Sequence, residues 1–71
     1  MINEMNEGVV KWFSRDKGYG FIARDDGDDV FFHFTALEQT GFKTIEEDRP
    51  VQFEYEDSNE GPKATRVIPV D

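Results

Sequence analysis

The sequence predicts an all-β, barrel-like domain, and three observations carry that expectation. Five short runs rich in valine, isoleucine and aromatic residues alternate with turn signals, and no segment of ten residues carries a helical pattern. A chain of 71 residues is also too small for two layered sheets, burying only about 60% of the surface it exposes when unfolded. Closing antiparallel strands on themselves removes the unpaired edges that a small open sheet would leave.

The first three runs are EGVVKWF at 7–13, YGFIAR at 19–24 and DVFFHF at 29–34. The polar turns SRDKG and DDGDD join them, and Asp and Gly tolerate the backbone angles of tight hairpins, so a three-stranded meander is expected. The segment 35–49 lacks a strand pattern, and Thr35 to Glu38 fits one helical turn capped by Thr35. The fourth run, VQFEYE at 51–56, alternates with a period of two and sets Val51, Phe53 and Tyr55 on one side. SNEGP then turns the chain into the fifth run, KATRVIPV at 63–70, giving a second hairpin. Residues 1–5 are expected to fray, leaving 6–70 as a single domain.

Composition narrows the function. With no cysteine, neither a disulfide framework nor a thiolate metal site is expected. The N-terminal stretch MINEMNEG lacks the features of a signal peptide and no run is long enough to span a membrane, so the cytoplasm is the expected location and no membrane partner is expected. Sixteen acidic against eight basic residues give a net charge of −8, which argues against a polyanion as partner. The charge is uneven, however. Lys11, Arg15, Lys17 and Arg24 face only Asp16 within residues 11–24, a local net of +3, and screening over about 8 Å lets a contacting strand feel that patch above the distant acid.

The third run decides what the patch is for. Val30, Phe32 and Phe34 alternate with Phe31 and His33, so both faces of one strand are ring-rich and one of them must look outward. On the second run Tyr19 and Phe21 share a side and Ile22 takes the other. Hairpin pairing then lays Tyr19 and Phe21 beside Phe31 and His33 on one exposed surface, flanked by Lys17 and Lys11. Eight of the ten aromatic residues fall between positions 12 and 42, more than a core of this size can hide. Exposed rings beside lysines suit unpaired nucleic acid, whose bases stack on aromatic faces while cations track the phosphates.

At this point the chain resembles the bacterial cold-shock proteins. The residues that carry the resemblance are GVVKWF at 8–13, KGYGFI at 17–22, VFFHF at 30–34, GFKT at 41–44 and GPKA at 61–64. KGYGFI and VFFHF look like the family's two ribonucleoprotein motifs. The resemblance implies a single cold-shock domain with a five-stranded antiparallel OB-type barrel. It also implies a stacking surface of Trp12, Tyr19, Phe21, Phe31, His33, Phe34 and Phe42, with Lys11, Lys17 and Ser14 near phosphates or base edges and Phe13 at the margin. Strict alternation would instead set Trp12 beside Val10 in the core; a bulge or sharp bend in the first strand would reconcile the two. Phe34 raises the same conflict on the third strand, and it is assigned to the rim.

Three positions depart from the family pattern. Tyr19 stands where phenylalanine is usual and adds a hydroxyl to the stacking face. Phe32 stands where valine is usual and points inward by parity, so smaller neighbours are expected around it. Glu60 stands where many members are basic, which leaves Lys63 as the phosphate contact of that loop.

Other chemistries fit less well. His33 has no second histidine or cysteine to share a metal and no identified partner for general-base work, so base stacking or a base-edge hydrogen bond is its expected role. DDGDD lacks the alternating ligands and closing glutamate of a calcium loop and reads as a solvated turn, as do Glu46, Glu47 and Asp48. KGYGFI also matches the start of an RRM signature, but Arg24 takes the place of its final aromatic and the two required helices are missing.

The expectation is therefore a protein that binds single-stranded RNA and DNA with low sequence selectivity and acts as an RNA chaperone by holding bases unpaired, in keeping with roles in transcription or translation regulation and in cold adaptation. No catalytic residue, metal, cofactor or small-molecule substrate is expected. A monomer is expected, with strand exchange into a dimer left open. The competing reading is a protein-interaction module that uses the same aromatic patch.

Overall fold

The computed structural model describes residues 5–24, 27, 29–38 and 45–70. Asp25, Asp26 and Asp28 of the aspartate turn and Gly41 to Thr44, including Phe42, lie outside them, as do residues 1–4 of the expected frayed tail.

Five strands form at the five predicted runs: β1 (Asn6–Ser14), β2 (Tyr19–Ala23), β3 (Val30–His33), β4 (Pro50–Ser58) and β5 (Gly61–Pro69). They close into a barrel in the order β1-β2-β3-β5-β4. The meander and the β4–β5 hairpin pair antiparallel, and β4 returns to β1 with Asn6 opposite Phe53 and Val9 opposite Pro50. One junction corrects the expectation of a wholly antiparallel barrel. β3 and β5 meet in parallel through Phe31 and Lys63, and a second parallel bridge joins Leu37 to Val67. The physical reason is connectivity: β3 and β5 are separated by β4, and closure brings the two together running the same way.

Val10, Ile22, Val30, Phe32, Leu37, Ile45, Val51, Phe53, Ala64 and Val67 form the buried core among the described residues. Strand alternation supplies most of it, since Ile22, Val30, Phe32, Val51 and Phe53 each occupy the inward parity of their strand. Two irregularities shift that parity. In β1 the register jumps between Val10, opposite Ile22, and Trp12, opposite Phe21, so Lys11 is the extra residue. In β5 the register jumps past Thr65, which explains why the buried Ala64 and Val67 stand three apart. Tyr55, expected on the same side as Val51 and Phe53, lies near the Phe53 ring but is 36% exposed, with the Arg24 guanidinium 4.9 Å from its ring centroid.

The helical turn after β3 is a short 3-10 turn, Phe34–Ala36. Its cap is His33, whose side chain accepts from the Thr35 backbone N–H, rather than Thr35 itself. The turn leads to Glu38, which Arg66 holds with Nε–Oε2 at 2.6 Å and Nη2–Oε1 at 3.0 Å while its Nη1 reaches Glu54 at 3.1 Å. These hydrogen bonds raise the guanidinium still further above its already high pKa, first through Glu38 and then Glu54. Glu46, Glu47 and Asp48 are exposed, as expected of loop charge, and Asp48 takes a positive φ of 65° in the turn that enters β4.

Phe32 finds the small neighbour that its size requires. Gly20 pairs with it across β2 and β3, and a Cβ at Gly20 would strike the Trp12 carbonyl and come within 2.9 Å of Phe13 Cα and 3.1 Å of the Phe32 ring. The Phe13 ring then stacks on Phe32 at 5.6 Å and 15°. Gly20→Ala is expected to destabilise the barrel by about 2–3 kcal/mol, because backbone on one side and a full ring on the other leave nothing free to yield. Urea unfolding checks this through a lower midpoint at unchanged m.

Candidate nucleic-acid interface

Outward parity on β2 and β3 assembles the predicted rings. Tyr19 lies opposite His33 and Phe21 opposite Phe31, and all four side chains are half-buried. The rings touch: Tyr19 and Phe31 are 5.6 Å apart, Phe21 and Phe31 5.7 Å, Tyr19 and Phe21 6.5 Å. The β1 bulge turns Trp12 onto this same face, 5.4 Å from Tyr19 and 5.5 Å from Phe21. Four rings thus form one contiguous apolar surface whose members hold each other largely edge-on or tilted, leaving part of each ring exposed.

Phe34 extends the surface past the end of β3. It is 38% exposed, sits 4.6 Å from His33, and rests over Gly18, whose absent Cβ is what lets the ring approach. Its rim position follows from the switch out of strand geometry into the 3-10 turn. The Nδ1 of His33 accepts from Thr35 N at 3.3 Å and lies 3.1 Å from Thr35 Oγ1. That arrangement engages Nδ1 within the turn and leaves Nε2 as the ring nitrogen open to a ligand. Phe13, placed at the margin by resemblance, stands apart from the outer rings because it packs on the core ring of Phe32.

The polar residues fall on two sides. Ser14 begins the β1–β2 turn, its Oγ accepting from Lys17 N at 3.2 Å, and Arg15 and Lys17 project from that turn beside Phe34. Lys11, the bulged residue, pairs with Asp29 at 2.7 Å; both ends are exposed, so water competes strongly for the pair. On the other side the parallel β3–β5 contact brings the β4–β5 hairpin against the rings. Phe21, Phe31, Asn59, Glu60, Pro62 and Lys63 border a cavity of about 450 Å³ there. Asn59 and Pro62 were not among the sequence candidates. Periodicity within single runs cannot show which non-consecutive strands meet, and only the GPKA resemblance pointed to this loop.

The residues also match known proteins. The family model for the 'Cold-shock' DNA-binding domain matches residues 6–70. The chain belongs to the cold-shock domain family. Cold shock protein 1 of Lactiplantibacillus plantarum is 55% identical over 65 residues, 92% of this chain and 98% of that one. CspB of Bacillus caldolyticus is 53% identical and CspD of Bacillus subtilis 52% identical, each over 64 residues, 90% of this chain and 97% of the relative. A solved structure, drosophila Unr CSD456, superposes with a TM-score of 0.78 at 21% identity, covering 97% of this chain and 28% of that one, a likeness in fold. The family is one of nucleic-acid binding proteins and not an enzyme family. Among the described residues no helix is long and apolar enough to cross a membrane.

Gly18 is the position on which the rim depends. Its φ of 75° disfavours any Cβ, and one built there would lie 2.7 Å from Phe34 Cδ1. Gly18→Ala is expected to cost about 1–2 kcal/mol from the left-handed backbone alone and to displace the Phe34 ring. Urea melts measure the first effect, and ring-proton shifts of Phe34 measure the second.

Proposed function

We propose that this cold-shock domain binds single-stranded RNA and DNA by stacking unpaired bases on Trp12, Tyr19, Phe21, Phe31, His33 and Phe34, with Phe42 as a further candidate, and that it acts as an RNA chaperone. The observation that carries the reading is the contiguous outward ring surface, with Trp12, Tyr19, Phe21 and Phe31 each within 5.7 Å of a neighbour. Four rings brought to the outside of a sheet forgo burial that a small domain needs, and base planes are the ligand that restores it. Duplex offers no such planes, since its bases already stack on one another.

Lys11, Lys17 and Lys63 supply the cations, with Ser14 beside Lys17. Lys17 and Lys63 have no ion-pair partner among the described residues. Capture of the open strand shifts a hairpin toward its unpaired form by mass action, which requires neither ATP nor covalent chemistry. The chain acts as a monomer in this reading, because the stacking surface is complete within one barrel.

Titration with oligo-dT and oligo-U is expected to quench Trp12 fluorescence while a matched duplex does not, and Phe31→Ala is expected to weaken single-strand binding by about 1–3 kcal/mol, roughly five- to 150-fold. Absence of quenching by any single strand at low salt would favour a protein ligand for the patch instead. With three lysines near phosphates, log K against log salt is expected to fall with a slope of about −2 for a single strand. A slope steeper than about −5 would show that charge, rather than stacking, supplies the affinity.

A further inference from the structure

The cavity between the ring face and the β4–β5 hairpin has two unlike walls. One is Phe21 and Phe31, outward rings 5.7 Å apart. The other is the hairpin tip, where Ser58 Oγ donates to the Gly61 carbonyl at 2.6 Å and accepts from Glu60 N at 3.3 Å. Those two bonds fix the tip and occupy the Ser58 hydroxyl. What the tip offers the cavity is Glu60, an anionic acceptor, with the neutral Asn59 amide beside it and, behind them, Lys63, directly across from Phe31. At about 450 Å³ the space falls within the range of small-ligand clefts, roughly 300–1,000 Å³.

The charge around the cavity says which part of a nucleotide enters it. Glu56, Asp57 and Glu60 outnumber Lys63 along this hairpin, whereas Arg15 and Lys17 outnumber Asp16 on the β1–β2 turn at the Phe34 end of the rings. The three carboxylates disfavour phosphate at the hairpin tip, and Lys63 is the cation of this hairpin beside Phe31, so a base stacked on Phe31 can keep its backbone toward Lys63 while its edge faces Glu60. Bases differ at that edge. Thymine and uracil offer one N–H between two carbonyl oxygens, and a carboxylate meets those oxygens with repulsion. Cytosine offers an amino group at that edge, a donor that the Glu60 carboxylate accepts from.

We propose that Glu60 makes this cavity a base-selective subsite that prefers a base carrying an amino group, cytosine among the pyrimidines, over thymine or uracil. The preference rests on the single-strand reading given above and confines sequence selectivity to one position of an otherwise tolerant surface.

The test is Trp12 quenching by hexathymidylate and by six variants of it, each with one cytosine at a successive position. Cytosine and thymine are similar in size, so the comparison isolates the edge from stacking. In the unaltered protein one position is expected to bind about fivefold more tightly with cytosine, the lower end of what one good base-edge contact supplies. Glu60→Gln, which keeps the size but can donate as well as accept, is expected to reduce that advantage to less than twofold, and Glu60→Lys to reverse it. Glu60 lies in an exposed two-residue turn and contributes only its backbone to the tip, so the variants are expected to keep the melting temperature. Equal binding of all seven strands, or a cytosine advantage undiminished in Glu60→Gln, overturns the preference while leaving single-strand binding intact. Failure of every strand to quench overturns both.

Discussion

In a barrel of this size each strand can turn only one face inward, and the ring surface depends on how β1 meets that constraint. Val10 must fill the core opposite Ile22, and two residues later strict alternation would send Trp12 inward as well. The interior already holds Phe32 and Phe53 with the Phe13 ring stacked against the former, so a further indole has no room. The extra residue at Lys11 resolves the conflict. It reverses parity between Val10 and Trp12, sets the indole against Tyr19 and Phe21, and returns Phe13 to the core side. One inserted residue therefore separates a strand that only packs from a strand that packs on one side and displays a ring on the other.

The same economy appears at Gly20 and Gly18. Each is a position where a missing Cβ lets a phenylalanine approach the backbone, Phe32 from inside the barrel and Phe34 from its rim. The interior pair lets the Phe32 ring lie close to the backbone where β1 and β2 meet, and the rim pair fixes where Phe34 rests.

Much of this was legible in the sequence where a single strand or hairpin decides the outcome. The five strands, the inward Ile22, Val30 and Phe32, and the outward Tyr19, Phe21, Phe31 and His33 all follow from a period of two and two turn signals. Features that depend on irregularity or on distant partners were not. Nothing local to β5 marks Thr65 as an extra residue, and a period of two in β4 does not show that Tyr55, unlike Val51 and Phe53, is exposed. The cap of the 3-10 turn is His33 because its ring, two residues before the expected Thr35, reaches forward to accept from the Thr35 backbone N–H. The parallel meeting of β3 and β5, and the cavity it creates beside Phe31, arise only on closure. Trp12 stood between these cases: alternation alone placed it wrongly, resemblance placed it on the surface, and the bulge supplies the physical reason.

Closure also has a temporal side. The ring face is drawn from the first half of the chain, yet Asn6 is held by Phe53 and Phe31 by Lys63. Long loops must close before those contacts return anything, so the meander has little to steady it until the last strand arrives. On a ribosome, the rings are made early and gain their support late. The ring surface is thus an outcome of closure: the residues that form it come first along the chain, and the strand that braces Phe31 comes last.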